Sequence, residues 1–193
     1  MVENNLIINN KRIAYNGVFR TSELLSIVRH ALEEKGYSYV EKKNEELVMP
    51  EGRMLQLELR PVKNVSPYMN LMIKILITLD NVTETVKEVS GVKQKYQQGE
   101  VAIGFDAWSI TNHEDRWGLK PFSYFVKSVV NKYIYKSHTE EDLLKQLVSD
   151  TAYVYAKIKE LLESYQGKKI APMKEDEIMR KVEEEIMKKP ETI

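Results

Sequence analysis

The chain contains no cysteine, which excludes disulfide bonds, catalytic thiolates and cysteine-rich zinc sites. Glycine is also scarce, with 8 residues among 193, and no two glycines have the spacing Gly-x-Gly. The dinucleotide-binding glycine pattern is therefore missing, and neither a P-loop nor the nucleophile elbow of hydrolases occurs in the sequence.

Neither sign of charge is in excess, since Lys and Arg together number 29 and Asp and Glu together number 29. Such a chain has no overall field that attracts nucleic acid or an anionic membrane, so nucleic acid is not an expected partner. No apolar run approaches the ~20 residues of a transmembrane helix, and Leu6-Ile7-Ile8 is too short for a signal-peptide core. These features predict a cytoplasmic protein without a transmembrane segment.

Apolar residues make up 42% of the chain, which is enough to bury the core of one domain. A strand is predicted over residues 6–15 and a helix follows, capped by Thr21 or Ser22 and ended by Gly36. Its buried positions have helical spacing: Leu24, Val28, Ala31 and Leu32.

A series of strands comes next, predicted over residues 37–48, 53–60, 68–79 and 101–111 from alternating apolar and polar residues. Asp80-Asn81 is interpreted as a turn. Residues 83–89 and 92–98 predict a hairpin around Ser90-Gly91, with a bulged single strand as the alternative.

Helical patterns return near the C-terminus, over residues 122–135 and then in a long helix over residues 139–165. The buried stripe of the long helix is predicted to be Leu144, Leu147, Thr151, Tyr155, Ile158, Leu162 and Tyr165. After a short linker, residues 175–189 form an amphipathic pattern. We therefore divide the chain into an α+β domain, residues 1–166, and a helical tail, residues 167–193.

This order of elements resembles the helix-grip (START-like) superfamily over about residues 6–165, by topology and without a shared sequence motif. The resemblance implies a curved antiparallel sheet of about six to seven strands packed on a long C-terminal helix, often around an apolar cavity. One longer helix replaces the family's usual two short ones, and residues 121–135 are additional. If such a cavity exists here, Tyr155 and Ile158 lie at mid-helix and face it.

Asp106 interrupts an apolar strand and shares a strand face with Gly104 and Trp108. On a cavity wall, Asp106 and Trp108 would be ligand-binding residues, with the carboxylate as a polar anchor. Alternation places Val101, Ile103, Phe105 and Ala107 on the opposite face, which favours a solvent-facing Asp106.

His113 and Asp115, in the polar segment after the last strand, have the chemistry of an acid/base pair or of metal ligands. Neither of the other two histidines lies at the His-Glu-x-x-His spacing of metalloproteases from His113. A solvated loop is the favoured interpretation of this segment. We predict no catalytic residue, no metal site and no cofactor, and favour a protein that is not an enzyme.

Two further segments have the pattern of interaction surfaces. Residues 120–136 combine aromatic side chains with Lys120, Lys127 and Lys132 and contain no acid, which suits an anionic surface or a single-stranded nucleic acid. Aromatic packing on the sheet, with the lysines reaching water, is the favoured alternative. The tail stripe Ile178, Val182 and Ile186 can dock on its own domain, on a second copy in a homodimer, or in a partner's groove.

The sequence thus favours a non-catalytic protein that binds a small apolar or amphipathic ligand between the sheet and the long helix. The alternative hypothesis is a module that binds a protein, a membrane surface or a nucleic acid through the tail helix or residues 120–136.

Overall fold

A computed structural model describes residues 2–50, 52–66, 68–89, 92–112 and 138–166. These residues form six strands and two helices, which confirms the predicted α+β class. In chain order the elements are β1 (Val2–Phe19), α1 (Thr21–Glu34), β2 (Glu41–Met49), β3 (Gly52–Leu59), β4 (Val62–Ser66), β5 (Met69–Val89), β6 (Val92–Asn112) and α2 (His138–Tyr165).

The strands form one antiparallel sheet in the order β1-β6-β5-β3-β2. β4 pairs with the beginning of β5, on the edge that β3 occupies further along that strand. β3 and β5 are antiparallel neighbours, and Leu57 and Ile73 lie in the same core.

One face of the sheet forms most of the core, because the long strands β5 and β6 alternate strictly. The inward positions are buried in both strands: Met69, Leu71, Ile73, Ile75, Ile77 and Leu79 on β5, and Val101, Ile103, Phe105, Ala107 and Ser109 on β6. The prediction that Val101, Ile103, Phe105 and Ala107 face away from Asp106 is confirmed.

Helix α1 buries the four predicted residues and ends in a Schellman motif. The Tyr37 amide donates to the Leu32 carbonyl at 2.9 Å and the Gly36 amide donates to the Glu33 carbonyl at 2.9 Å. Gly36 has a φ of +77°, a left-handed conformation in which a side chain is strained. The predicted cap by Thr21 or Ser22 is wrong, because the N-cap is Arg20 and makes no side-chain cap bond.

Helix α2 packs against α1 and against the core side of β1 and β6. Of the predicted stripe, Leu147, Thr151, Tyr155, Ile158 and Leu162 are buried. Val148, Ala152, Val154 and Leu161 are buried as well, because this helix contacts a second helix in addition to the sheet.

Asp80-Asn81 does not turn the chain, which corrects the sequence prediction. β5 continues through it with a shift in its pairing to β6, and Asn81 has a φ of +50°. Gly99 lies opposite, inside β6, where a Cβ atom would come within 2.7 Å of the Asp80 carbonyl oxygen. Here the asparagine and glycine mark a β-bulge within one long hairpin.

The remaining differences concern the outer strands. β1 is longer than predicted and carries pairing shifts near Ile8, and β4 was not predicted. β2 begins only at Glu41, because the chain from Tyr37 first leaves the helix and bridges Val62 through Ser38. Residues 113–137 and 167–193, with the predicted helices there, lie outside the described residues.

Candidate functional site

The outer face of the sheet, opposite α2, carries the half-exposed residues of the long hairpin. These include Met72, Lys74, Leu76 and Thr78 on β5, and Gly104, Asp106, Trp108 and Ile110 on β6. Strand alternation puts them on this face because their neighbours in sequence point into the core. A face of mixed polar and apolar side chains is thereby available on the sheet.

An apolar row crosses four strands of this face. Leu6 of β1 is opposite Trp108, Trp108 is opposite Met72, and Met72 is opposite Val62 of β4. Leu6 is 43% exposed, whereas Trp108 and Met72 are half-buried by their neighbours. The row is a continuous apolar strip on the outer face.

Asp106 occupies the next position along β6 and is held by two neighbours. The Asn10 amide donates a hydrogen bond to its Oδ1 at 2.7 Å, and Lys74 Nζ lies 3.9 Å from its Oδ2. Asn10 has a φ of +52° and belongs to the irregular part of β1. Asp106 therefore accepts a hydrogen bond from an amide that the regular strand pairing does not use. In this structure its carboxylate secures the β1 bulge.

A shallow cavity of about 470 Å³ lies further along the same strands. Its small lining residues are Ala14, Ala102 and Thr78, and its polar ones include Asn16, Asp80 and Glu100. Ala14 is opposite Ala102, and Ala102 is opposite Thr78, so three short side chains side by side create the depression.

Two carboxylates border this cavity and face each other across the hairpin. Asp80 and Glu100 are direct cross-strand partners. The Asn81 amide donates to Asp80 Oδ1 at 2.9 Å, and Asn16 Nδ2 donates to Glu100 Oε1 at 3.4 Å. Among the described residues neither carboxylate has an ion pair with Lys or Arg. Like charges directly opposite each other destabilise a sheet, so this arrangement favours a cation between them.

A second polar cluster joins α1, the hairpin and the end of α2. The Arg20 guanidinium lies 4.4 Å from the centre of the Tyr96 ring and donates to Gln94, while the Tyr165 hydroxyl donates to Glu23. Burial raises the pKa of Tyr165, and the Glu23 carboxylate raises it further. The rings of Tyr96 and Tyr165 meet edge to face, 6.3 Å apart.

A cavity of about 380 Å³ lies beside this second cluster, lined by Arg20, Ser22, Glu23, Ser26, Ile27 and His30. The cluster's charged and aromatic groups are mutually satisfied apart from Arg20 Nε, and their contacts fasten three elements together. The cluster therefore has a structural role, which is to hold α1, the hairpin and the end of α2 together. Sequence reasoning missed it, because no spacing joins residues from three distant segments.

The predicted ligand residues fall on opposite sides of the sheet. Asp106 and Trp108 are on the outer face, whereas Tyr155 and Ile158 are buried between α2 and the sheet. The Tyr155 and Phe105 rings are 5.7 Å apart there, and Ile158 is fully buried. The structure brings each pair together but does not bring the two pairs into one site.

The predicted interaction residues lie outside the described residues: Lys120, Lys127, Lys132, Ile178, Val182 and Ile186, together with His113 and Asp115. Within the described ranges, no group of three or more His, Asp or Glu residues is placed to hold a metal ion. In the same ranges, neither helix has the length and hydropathy of a membrane span.

No protein-family model matches the chain, and no curated protein matches it significantly.

Proposed function

We propose that this protein is a non-catalytic binding protein that takes a small amphipathic ligand with a positively charged group on the outer face of its sheet. The observation that carries the proposal is the cavity over Ala14 and Ala102, bordered by the opposed carboxylates of Asp80 and Glu100. The proposed fold is helix-grip-like and the proposed location is the cytoplasm.

The size and lining of the cavity support a small molecule. Ligand pockets are commonly about 300–1,000 Å³, mostly apolar, with a few polar groups that orient the ligand. This cavity, at about 470 Å³, has a floor of short side chains and a carboxylate border. A flat apolar body would lie on Ala14 and Ala102, and a cationic group would lie between Asp80 and Glu100.

The charge of the ligand follows from the two carboxylates. A cation between them removes their mutual repulsion and gains two charge-assisted hydrogen bonds, whereas an anion adds to the repulsion. We therefore expect the protein to discriminate by charge more strongly than by the shape of the apolar body.

A fluorescent amine tests this proposal. Dansylcadaverine, which carries a primary ammonium group, is titrated against the full chain, and neutral dansyl amide is the matched control probe. We expect saturable binding of the amine that is at least tenfold tighter than that of the amide. Asp80→Asn combined with Glu100→Gln should abolish the preference without lowering the melting temperature, because the double variant also removes the repulsion between the two carboxylates.

Blocking variants locate the binding site. Ala102→Trp fills the outer cavity, whereas Lys95→Trp adds the same ring at an exposed position away from the cavity. Loss of amine binding in Ala102→Trp alone supports the proposal. Equal binding of both probes, or full binding by Ala102→Trp, would sink it.

A ligand enclosed between α2 and the sheet stays a prediction, and the same titration separates it from the outer site. Ile158→Trp would block an enclosed ligand and leave an outer-face ligand in place, because Ile158 is fully buried on the other side of the sheet. The interaction module that uses the tail or residues 120–136 also stays a prediction.

A further inference from the structure

Among the residues that the structure describes, β2 is the last strand of the sheet, and its outer edge pairs with no other strand. It pairs with β3 on one side, and all nine of its residues are exposed. A free edge presents unpaired amide and carbonyl groups, which can bind another strand. Leu47 and Val48 add apolar side chains there, 57% and 78% exposed.

The charges along this edge follow an ordered pattern. Lys42 and Lys43 precede Asn44, and Glu45 and Glu46 follow it. Residues 42–46 therefore reverse their charge about one neutral residue, and the flanking Glu41 and Leu47 are not part of this pattern. Lysines on an edge often prevent pairing, but a strand protected in that way does not need acids at the mirror positions.

Symmetry limits how β2 could pair with itself. A two-fold axis normal to the sheet produces antiparallel strands and keeps each side chain on its own face. Residues opposite each other must then share a face. This holds only if one residue of each strand lies directly opposite its own copy, with the axis midway between the two. Each possible register is defined by that central residue.

Asn44 is the central residue that complements the charges. It places Lys43 opposite Glu45 of the second copy, and Lys42 opposite Glu46 of the second copy. A register centred on Lys43 or on Glu45 places like charges directly opposite each other, which is destabilising.

We propose that β2 pairs with β2 of a second copy of this chain about Asn44, which makes one continuous antiparallel sheet. Backbone hydrogen bonds along the edge would provide the affinity. The charged pairs would select the register, because exposed ion pairs contribute little to affinity by themselves. The proposal is independent of the proposed ligand.

The existing contacts of these side chains are compatible with such pairing. Lys43 lies 2.8 Å from Glu45 in its own strand, and Glu46 lies 3.6 Å from Arg53. Lys43 and Glu45 share a face, so with the second copy they would form a group of four charges in which each lysine has a glutamate beside it and another opposite it. Lys42 sits at a pairing shift between β2 and β3, so the Lys43–Glu45 pairs are the more regular ones.

Charge-reversal variants test the register directly. Sedimentation equilibrium at low salt should show a dimer for the full-length chain. The variants K42E/K43E and E45K/E46K should each associate at least tenfold more weakly, because one becomes all-acidic and the other all-basic about Asn44. An equimolar mixture of the two should form a heterodimer, and the fourfold variant should dimerise like the parent.

A control carries the same change of charge elsewhere. Lys95 and Lys145 are exposed and lie outside β2, so K95E/K145E should dimerise like the parent. Circular dichroism checks that every variant folds, and mixing keeps the test decisive if one variant associates abnormally. A monomeric parent at all concentrations, or no heterodimer on mixing, overturns the proposal and leaves the edge for a strand of another protein.

Discussion

Lys63 Nζ lies 2.9 Å from Oδ2 of Asp150, so a buried ion pair ties β4 to the middle of α2. The Asp150 side chain is 7% exposed and that of Lys63 is 18% exposed. The Lys63 ammonium also lies 5.3 Å from the centre of the Tyr37 ring, which adds a cation–π contact. A short edge strand and a distant helix are thereby fixed to each other by charge.

Removing only the lysine should be costly. Lys63→Met leaves the Asp150 carboxylate buried without its partner, and we expect a loss of about 3 kcal/mol in the free energy of unfolding. Asp150→Leu in the same chain removes the stranded charge, so the double variant should recover most of that loss. Urea denaturation of all four proteins in the cycle measures the coupling, and a single-variant loss below about 1 kcal/mol would contradict it.

Stability should fall in alkaline solution because of Tyr37. Burial, and then the Asp150 carboxylate, raise the pKa of Tyr37 well above its ordinary value of 10.0. Above about pH 10 the unfolded chain loses this proton while the folded protein keeps it, so stability declines by up to about 1.4 kcal/mol per pH unit. Tyr37→Phe should remove this contribution. Urea denaturation at about pH 9 and pH 11 gives the slope of the free energy of unfolding against pH for each of the two proteins. Equal slopes would refute the assignment.

Truncation of two neighbouring side chains on β3 should cost very different amounts of stability. Leu57 is buried in the core and Gln56 is half-exposed on the outer face. Leu57→Ala should cost about 2–5 kcal/mol, because it removes core contacts and leaves a cavity, whereas Gln56→Ala should cost about 0.5 kcal/mol or less. Similar losses for both, measured by urea denaturation, would mean that the strand faces are reversed.

The helix-ending glycine provides a fourth test. Gly36→Ala puts a side chain on a left-handed residue and should cost about 1 kcal/mol. Gly104→Ala is the matched control, because a Cβ atom there meets nothing within 4 Å and the backbone has no such conformation. Thermal unfolding should separate the two variants. A stable Gly36→Ala protein would show that the motif relaxes without cost.

The sequence predicted the strands with strict alternation and missed the irregular ones. β3 and the core face of β5 follow from period-2 patterns such as Leu55, Leu57 and Leu59, because burial on one face imposes that period. The predicted range of β1, residues 6–15, omits both ends of the strand, because residues 3–5 are exposed and show no burial pattern and Asn16-Gly17 has the composition of a turn. β2 is exposed along its whole length, so no burial pattern marks where it begins.

The candidate site could not be predicted for a related reason. Asp80-Asn81 has the composition of a turn, and dividing the strand there separates Asp80 from Glu100. Their meeting depends on the pairing of β5 with β6, in which a bulge takes up the extra residue without turning the chain. The outward direction of Asp106, in contrast, followed directly from alternation.

The pairing of β1 with β6 also determines when the sheet can be completed during protein synthesis. The Asn10 amide and its acceptor Asp106 are separated by 96 residues in the chain, and Asn16 and Glu100 by 84. At about 5–20 residues per second, β1 leaves the ribosome roughly 5–20 s before its partner strand exists. The β5–β6 hairpin, joined by a short connection, can form as soon as it emerges, and β1 then completes the sheet. A nascent chain stalled before β6 therefore exposes the apolar residues of β1, and a chaperone that binds apolar segments would find them there.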